Sequence, residues 1–206
     1  MELTAAASWL NTALAGFDQS VTAGVHKLAA AGGVMTAFMN FISLLGKGGI
    51  FLILLSVALL LVNKTRRFGT GMIFGLLIGV IVVNLFLKVW IARPRPYADE
   101  AGFYYPLWDM MGRHMESDYS FPSGHTNAAF AAMVPLFILG DKKWSWAAIL
   151  FGILMGISRI YLVVHYPTDV LGGLITGTIA GMLGTLIAIN LPKKWYRWDL
   201  FKKGKG

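Results

Sequence analysis

Apolar runs of bilayer-crossing length account for most of this chain, more than a water-soluble fold could bury around one core. Six stand out, at residues 20–44, 47–63, 69–92, 124–139, 144–163 and 167–191, separated by polar or basic stretches of which the longest, about 93–123, is the most elaborate outer element. Of the 206 residues, 56% are hydrophobic and 14% charged. The chain therefore reads as a single all-α domain, residues 1–206, an integral membrane bundle of six transmembrane helices. Residues 3–16 mix apolar and small polar side chains, with Trp9 and Leu10 suited to the headgroup region, which predicts a short N-terminal interfacial helix. No Lys or Arg precedes Lys27, so a cleavable leader is not expected.

The net charge of +8 sits mainly at the ends of apolar runs, where basic residues set topology, and nucleic-acid binding is not expected. Lys64, Arg66 and Arg67 follow the second run and Lys142 and Lys143 the fourth. Lys193, Lys194, Arg197, Lys202, Lys203 and Lys205 follow the sixth. By the positive-inside tendency these clusters are cytoplasmic, both termini lie inside, and the connections after runs one, three and five face outward. Trp144, Trp146, Trp195 and Trp198 then mark the inner boundary, with Trp90 and Trp108 near the outer one. His26 falls near the inner end of the first run, beside Lys27. The absence of cysteine rules out disulfides, thiolate ligands and thiol nucleophiles. Glycines recur every four residues at Gly71, Gly75 and Gly79, at Gly152 and Gly156, and at Gly173, Gly177 and Gly181. Such stripes let helix backbones approach closely, which predicts runs three, five and six as the packed centre.

Three outward-facing stretches carry ionisable groups, which are costly in lipid. Lys88 and Arg95 close the third run; Pro94 and Pro96 disfavour helix there and let Arg95 bend back toward Lys88. Pro122-Ser123-Gly124-His125 opens the fourth run, pairing a capping serine with free backbone N–H groups that suit an anion. Ser158, Arg159, His165 and Asp169 straddle the turn between the last two runs, where an aspartate can fix an imidazole tautomer. Taken singly, each also fits a bland reading: interfacial snorkelling, a plain helix start, or a short charged loop. Together they fall at one face of four helices and can surround one phosphate.

The pattern of Lys88 with Arg95-Pro96, Pro-Ser-Gly-His at 122–125, and Ser158-Arg159 with His165 and Asp169 resembles the type 2 phosphatidic acid phosphatase family at every motif position. That resemblance implies a metal-independent lipid phosphatase with no cofactor and a transiently phosphorylated histidine. It implies His165 as nucleophile, Asp169 as its orienting acid and His125 as proton carrier. Lys88, Arg95, Ser123, Gly124, Ser158 and Arg159 would hold the phosphoryl oxygens. The substrates implied are undecaprenyl diphosphate, phosphatidylglycerol phosphate or phosphatidic acid, drawn from the bilayer. A lipid phosphotransferase using the same phosphohistidine, and an anionic lipid or phosphate transporter, are the alternatives.

Arg93-Pro94 duplicates Arg95-Pro96, and the family spacing selects Arg95. Arg93 is left to a lipid headgroup or to the acidic loop, so Arg93→Ala is expected only to weaken turnover. Asp99, Glu100, Asp109, Glu116 and Asp118 lack compact metal-ligand spacing and read as solvated or paired with Arg113. His114 matches no motif position.

Overall fold

A computed structural model describes residues 3–196 as an all-helical bundle. Arg197, Trp198, Lys202, Lys203 and Lys205, assigned above to the inner boundary, lie outside the described residues. Two short helices open the chain, α1 (Ala5–Ala13) and α2 (Ala15–His26). Thr4 caps α1 by accepting from the Ala7 N–H at 3.1 Å, and its own hydroxyl donates to the Ile91 carbonyl at the end of the third run.

Next come α3 (Gly33–Gly46) and α4 (Ile50–Leu61), joined through Lys47–Gly49. Gly48 at φ 59° and Gly49 at φ 67° hold left-handed backbone that other residues adopt only with strain. The helix bends there without turning back. Its contacts with α9 (Lys142–Tyr161) descend in order: Thr36 meets Tyr161, Ser43 meets Arg159, Gly46 meets Met155 and Phe51 meets Phe151. Residues Gly33–Leu61 thus form one kinked apolar segment of 29 residues. At 1.5 Å per residue that is about 43 Å of helix, enough for one crossing. The expected runs 20–44 and 47–63 are therefore not two crossings; a glycine cluster that looks like a hairpin turn is a bend.

The helix α5 (Arg66–Val80) passes through a π-helical stretch, Ile81–Leu87, into α6 (Lys88–Ile91). The outer loop carries α7 (Tyr104–Met110), and α8 (Gly124–Leu139), α9, α10 (Pro167–Asn190) and α11 (Lys193–Tyr196) complete the order. Among the described residues, four segments are long and apolar enough to cross a membrane: Gly33–Leu61, Arg66–Ala98, Lys142–Tyr161 and Pro167–Asn190. Gly124–Leu139 is a shorter apolar helix.

The N-terminal helices sit at the end of the bundle that carries the outer loop. Asp18 on α2 bonds Arg93 and Thr168, and His26 stacks on Tyr161 with ring centroids 5.8 Å apart. Both the N-terminal segment and His26 were expected at the opposite end. They belong to a different layer because residues 15–26 end before the apolar crossing begins at Gly33.

Glycine contacts identify the centre of the bundle. A Cβ at Gly184 of α10 would overlap the Gly71 and Gly75 backbone of α5, and one at Gly177 would overlap the Asn127 backbone of α8. Gly152 of α9 instead faces the Phe130 ring of α8. The core layer is thus α5, α8 and α10, with α9 packed outside α8. Ala128, Ala129, Ala131 and Ala132 give α8 the small surface that glycine stripes led us to expect of α9. Over the site end, Tyr97 and Trp108 stack at 4.5 Å and pack with Tyr104, Met111 and Tyr161–Val164. Trp108 is buried in this cap and is not an outer-boundary anchor.

Candidate active site

Helix α6 stops where Ala92 turns left-handed at φ 50°, and Pro94 and Pro96 keep the next residues extended. Arg95 consequently leaves the helix and reaches back over its end. Its Nη1 donates to the Val164 carbonyl at 2.7 Å and lies 3.0 Å from His165 Nε2. Its Nε donates to the Asp118 carbonyl at 2.9 Å, while Nη2 pairs with the Asp118 carboxylate. Lys88 Nζ binds the other oxygen of the same carboxylate. Two buried cations therefore converge on one anion.

That geometry fixes the His165 tautomer. A guanidinium can only donate, so Nε2, the nearer ring nitrogen, carries the lone pair; Nδ1 is 3.5 Å from the same donor. The ring proton then sits on Nδ1, facing Asp169 Oδ2 at 3.4 Å. Burial first, then the charges of Arg95, Arg159 and Lys88, push the His165 pKa well below its ordinary value. The ring is neutral at neutral pH. Its Nε2 is a nucleophile by type, and in the ligand-free site the lone pair faces Arg95 Nη1.

Asp169 is held on every side. Its Oδ2 accepts from the Tyr166 N–H at 2.9 Å and from the Ser120 hydroxyl. Its Oδ1 accepts from Arg93 Nη1 at 2.7 Å. Arg93 is 1% exposed; it also donates to Asp18 at 2.9 Å and lies 3.7 Å over the Tyr166 ring. Arg93 was expected at a headgroup or in the acidic loop. It is instead a buried link behind the histidine, held between the Asp169 and Asp18 carboxylates.

At the start of α8, Ser123 Oγ accepts from the Thr126 N–H at 3.4 Å and from its hydroxyl at 3.0 Å. Ser158 Oγ donates to the Met155 carbonyl at 2.7 Å. Both hydroxyls thus serve their own helices. Arg159 binds Ser43 and Glu116, and its Nε is buried without a partner. Lys88, Arg95, Gly124, His125 and His165 share one cavity of 560 Å³. It continues past Gly48 along Ile53, Ile73, Leu76, Leu77 and Val80, so a charged end opens into an apolar groove.

Sequence reasoning missed four participants: Asp18, Arg93, Glu116 and Asp118. Asp109 does pair with Arg113, but Glu116 and Asp118 pair with the cationic site. A pocket with three buried cations needs anions when no ligand is bound, and the loop just before Pro122 supplies them. Charge balance was the available signal. Among the described residues, no group of three or more His, Asp or Glu side chains is placed to hold a metal ion.

A family model described as the PAP2 superfamily matches residues 68–193. The chain belongs to the PAP2 superfamily. PAP2 phosphatases are metal-independent phosphoric ester hydrolases, and this one is an integral, multi-pass membrane protein. It is 30% identical over 161 residues to undecaprenyl-diphosphatase BcrC of Bacillus subtilis (strain 168), covering 77% of this chain and 78% of that one. An undecaprenyl-diphosphatase of Sulfolobus acidocaldarius is 29% identical over 161 residues, covering 78% and 74%. The crystal structure of a transmembrane PAP2-type phosphatidylglycerolphosphate phosphatase from Bacillus subtilis superposes with a TM-score of 0.69 at 26% identity, covering 91% of this chain and 92% of that one. As a PAP2 member, this chain carries its three motifs inside the matched region, whereas Asp18 lies outside it.

Proposed function

We propose that this protein removes the terminal phosphate of a lipid diphosphate, with undecaprenyl diphosphate the foremost substrate, through a phosphohistidine on His165. One observation carries the reading: His165, with Nε2 against Arg95, lines a cation-rich cavity that runs directly into an apolar groove. The named activities of the two undecaprenyl-diphosphatase relatives support the substrate class.

Phosphoryl transfer mainly requires alignment and compensation of oxygen charge. Lys88, Arg95 and Arg159, with the Gly124 N–H at the start of α8, bind the phosphoryl oxygens in place of Asp118 and Glu116. Nε2 attacks phosphorus as Asp169 stabilises the charge that grows on the ring. His125 protonates the departing oxygen where needed and then activates water against the phosphohistidine. Ser123 and Ser158 set the helix starts and ends that aim these groups.

The chain crosses the membrane five times in this reading, with α8 as the short crossing. The described basic residues Lys64, Arg66, Arg67, Lys142, Lys143, Lys193 and Lys194 lie at the ends of helices remote from the site, which supports an outward-facing site. The N-terminal helices then lie outside and α11 inside.

Phosphate release from purified protein in detergent, measured on diphosphate and monophosphate lipids without an added acceptor, tests the activity. Wild-type turnover with complete loss in His165→Ala is the expected result. Turnover that survives His165→Ala contradicts the reading, as does release that requires an acceptor lipid.

A further inference from the structure

The cavity holds a band of polar atoms that the proposed phosphate contacts do not use. Asn84 and Asn127 both line it, between the cationic end and the apolar groove. Neither amide hydrogen-bonds to protein among the described residues. Asn127 is 2% exposed; its Oδ1, an acceptor, is buried without a partner and needs a donor such as water, while its Nδ2, which no protein hydrogen bond uses among the described residues, is the donor it can offer an anion. Asn84 is exposed on the π-helical stretch Ile81–Leu87 of an otherwise apolar crossing. A π-turn inside an α-helix commonly marks a functional site, and an unpaired amide in an apolar crossing has the same implication.

The order of groups is informative. A Cβ at Gly79 would come 2.7 Å from Asn127 Nδ2, so the missing side chain makes room for this amide against α5. Asn84 lies five residues further along the same helix, and Lys88 four beyond that. Asn84 is thus about 6 Å deeper than Lys88 along the axis. A terminal phosphate gripped by Lys88, Arg95 and Arg159 would place the next polar group of its lipid at that depth.

We infer that Asn84 and Asn127 form a subsite for the second phosphate of a lipid diphosphate, the one attached to the hydrocarbon. This rests on the phosphatase reading above and specifies its leaving group. The bond between the terminal phosphorus and the bridging oxygen breaks as the bond from His165 Nε2 to phosphorus forms. The electron pair leaves on the bridging oxygen, and the lipid monophosphate departs with it. Water then displaces the histidine, giving inorganic phosphate, with its proton passing to His125. Neutral amide donors stabilise the charge arriving on the leaving phosphate. A cation there would hold the monophosphate product more tightly and slow its release.

The test compares farnesyl diphosphate with farnesyl phosphate, which share one chain, using Asn84→Ala and Asn127→Ala in detergent. Asn84 is exposed, so its replacement leaves the fold intact; thermal melting checks Asn127→Ala. Each variant is expected to lower kcat/KM for the diphosphate roughly tenfold, the scale of one lost hydrogen bond to a charged group. The value for the monophosphate should stay within about twofold of wild type, since it presents no second phosphate to these donors. Equal losses on both substrates, or no loss on the diphosphate, would overturn the subsite and leave the phosphatase reading standing. Wild-type protein inactive on both substrates would overturn both.

Discussion

Arg93 Nη1 donates to Asp169 Oδ1 over 2.7 Å, and Arg93 Nη2 donates to Asp18 Oδ2 over 2.9 Å. The N-terminal helix α2 is thereby tied to the acid that orients His165. Asp18 also accepts from the Thr168 N–H and hydroxyl, both at 2.8 Å, at the start of α10. Removing Arg93 leaves two carboxylates buried without their shared cation, an arrangement that typically costs about 3–5 kcal/mol.

Arg93→Ala is therefore expected to reduce kcat by roughly a hundredfold, as displaced catalytic groups do. Arg93→Lys should recover little, since one ammonium cannot make the bidentate bridge. Steady-state kinetics on purified, folded protein checks both. Arg93→Ala with turnover near wild type would contradict the linkage and restore the lesser role that motif spacing suggested.

The contrast between the two arginines shows what the sequence could convey. Motif spacing located Lys88, Arg95, Gly124, His125 and His165 because each has a fixed offset, and all five meet at one cavity. Arg93 and Asp18 are 75 residues apart and share no local pattern, so only the folded chain brings them together. Crossing count failed for a related reason. Gly46, Gly48 and Gly49 look alike in a turn and in a bend, and only the ordered contacts of Thr36, Ser43 and Phe51 along α9 tell them apart. Burial of Trp108 was equally hidden, since an aromatic residue suits a membrane boundary and a loop core alike.

Asp118 holds the place proposed for phosphate oxygens, bridging Lys88 and Arg95 from a half-exposed position. Burial raises its pKa, but the hydrogen bond and charge of Lys88 and the charge of Arg95 outweigh that and hold it below the usual carboxylate value. It is ionised at neutral pH and competes with any bound anion. Asp118→Asn should lower the vanadate concentration that half-inhibits turnover by roughly tenfold, the scale of a charged hydrogen bond no longer competing. Unchanged or weaker inhibition would show that the loop carboxylate supports the site without competing for it.

The lowered pKa of His165 predicts a specific pH response. For a depressed histidine the charged form appears only below the shifted value, so the ring stays neutral as pH falls through 6.5. Its folded state binds no proton there while the unfolded chain does, so this group's stabilising contribution is complete above the unfolded value and declines below it. Histidine-labelled nitrogen NMR of the ligand-free protein, titrated from about pH 8 to pH 5.5, should show His165 fixed with its proton on Nδ1. Its titration near 6.5 would contradict the burial and positive charge around the ring.

Close helix approach makes the glycines unequal. Gly184→Ala drives a methyl group into the Gly71 and Gly75 backbone and is expected to destabilise by about 1–3 kcal/mol. Gly24 in α2 has nothing within 4 Å of a Cβ, so Gly24→Ala should stabilise by about 0.5–1 kcal/mol through helix propensity. Thermal unfolding in detergent distinguishes them. Equal shifts in the same direction would place the α5–α10 contact in error.

The central claim is that His165 Nε2 becomes phosphorylated. Rapid-quench, single-turnover reaction with a terminally labelled lipid diphosphate should give acid-labile, base-stable label on wild-type protein that appears before inorganic phosphate and maps to His165. The same experiment on His125→Ala should accumulate that label, because water activation is impaired. Label-free protein during an active burst, or label that persists in His165→Ala, would contradict the account.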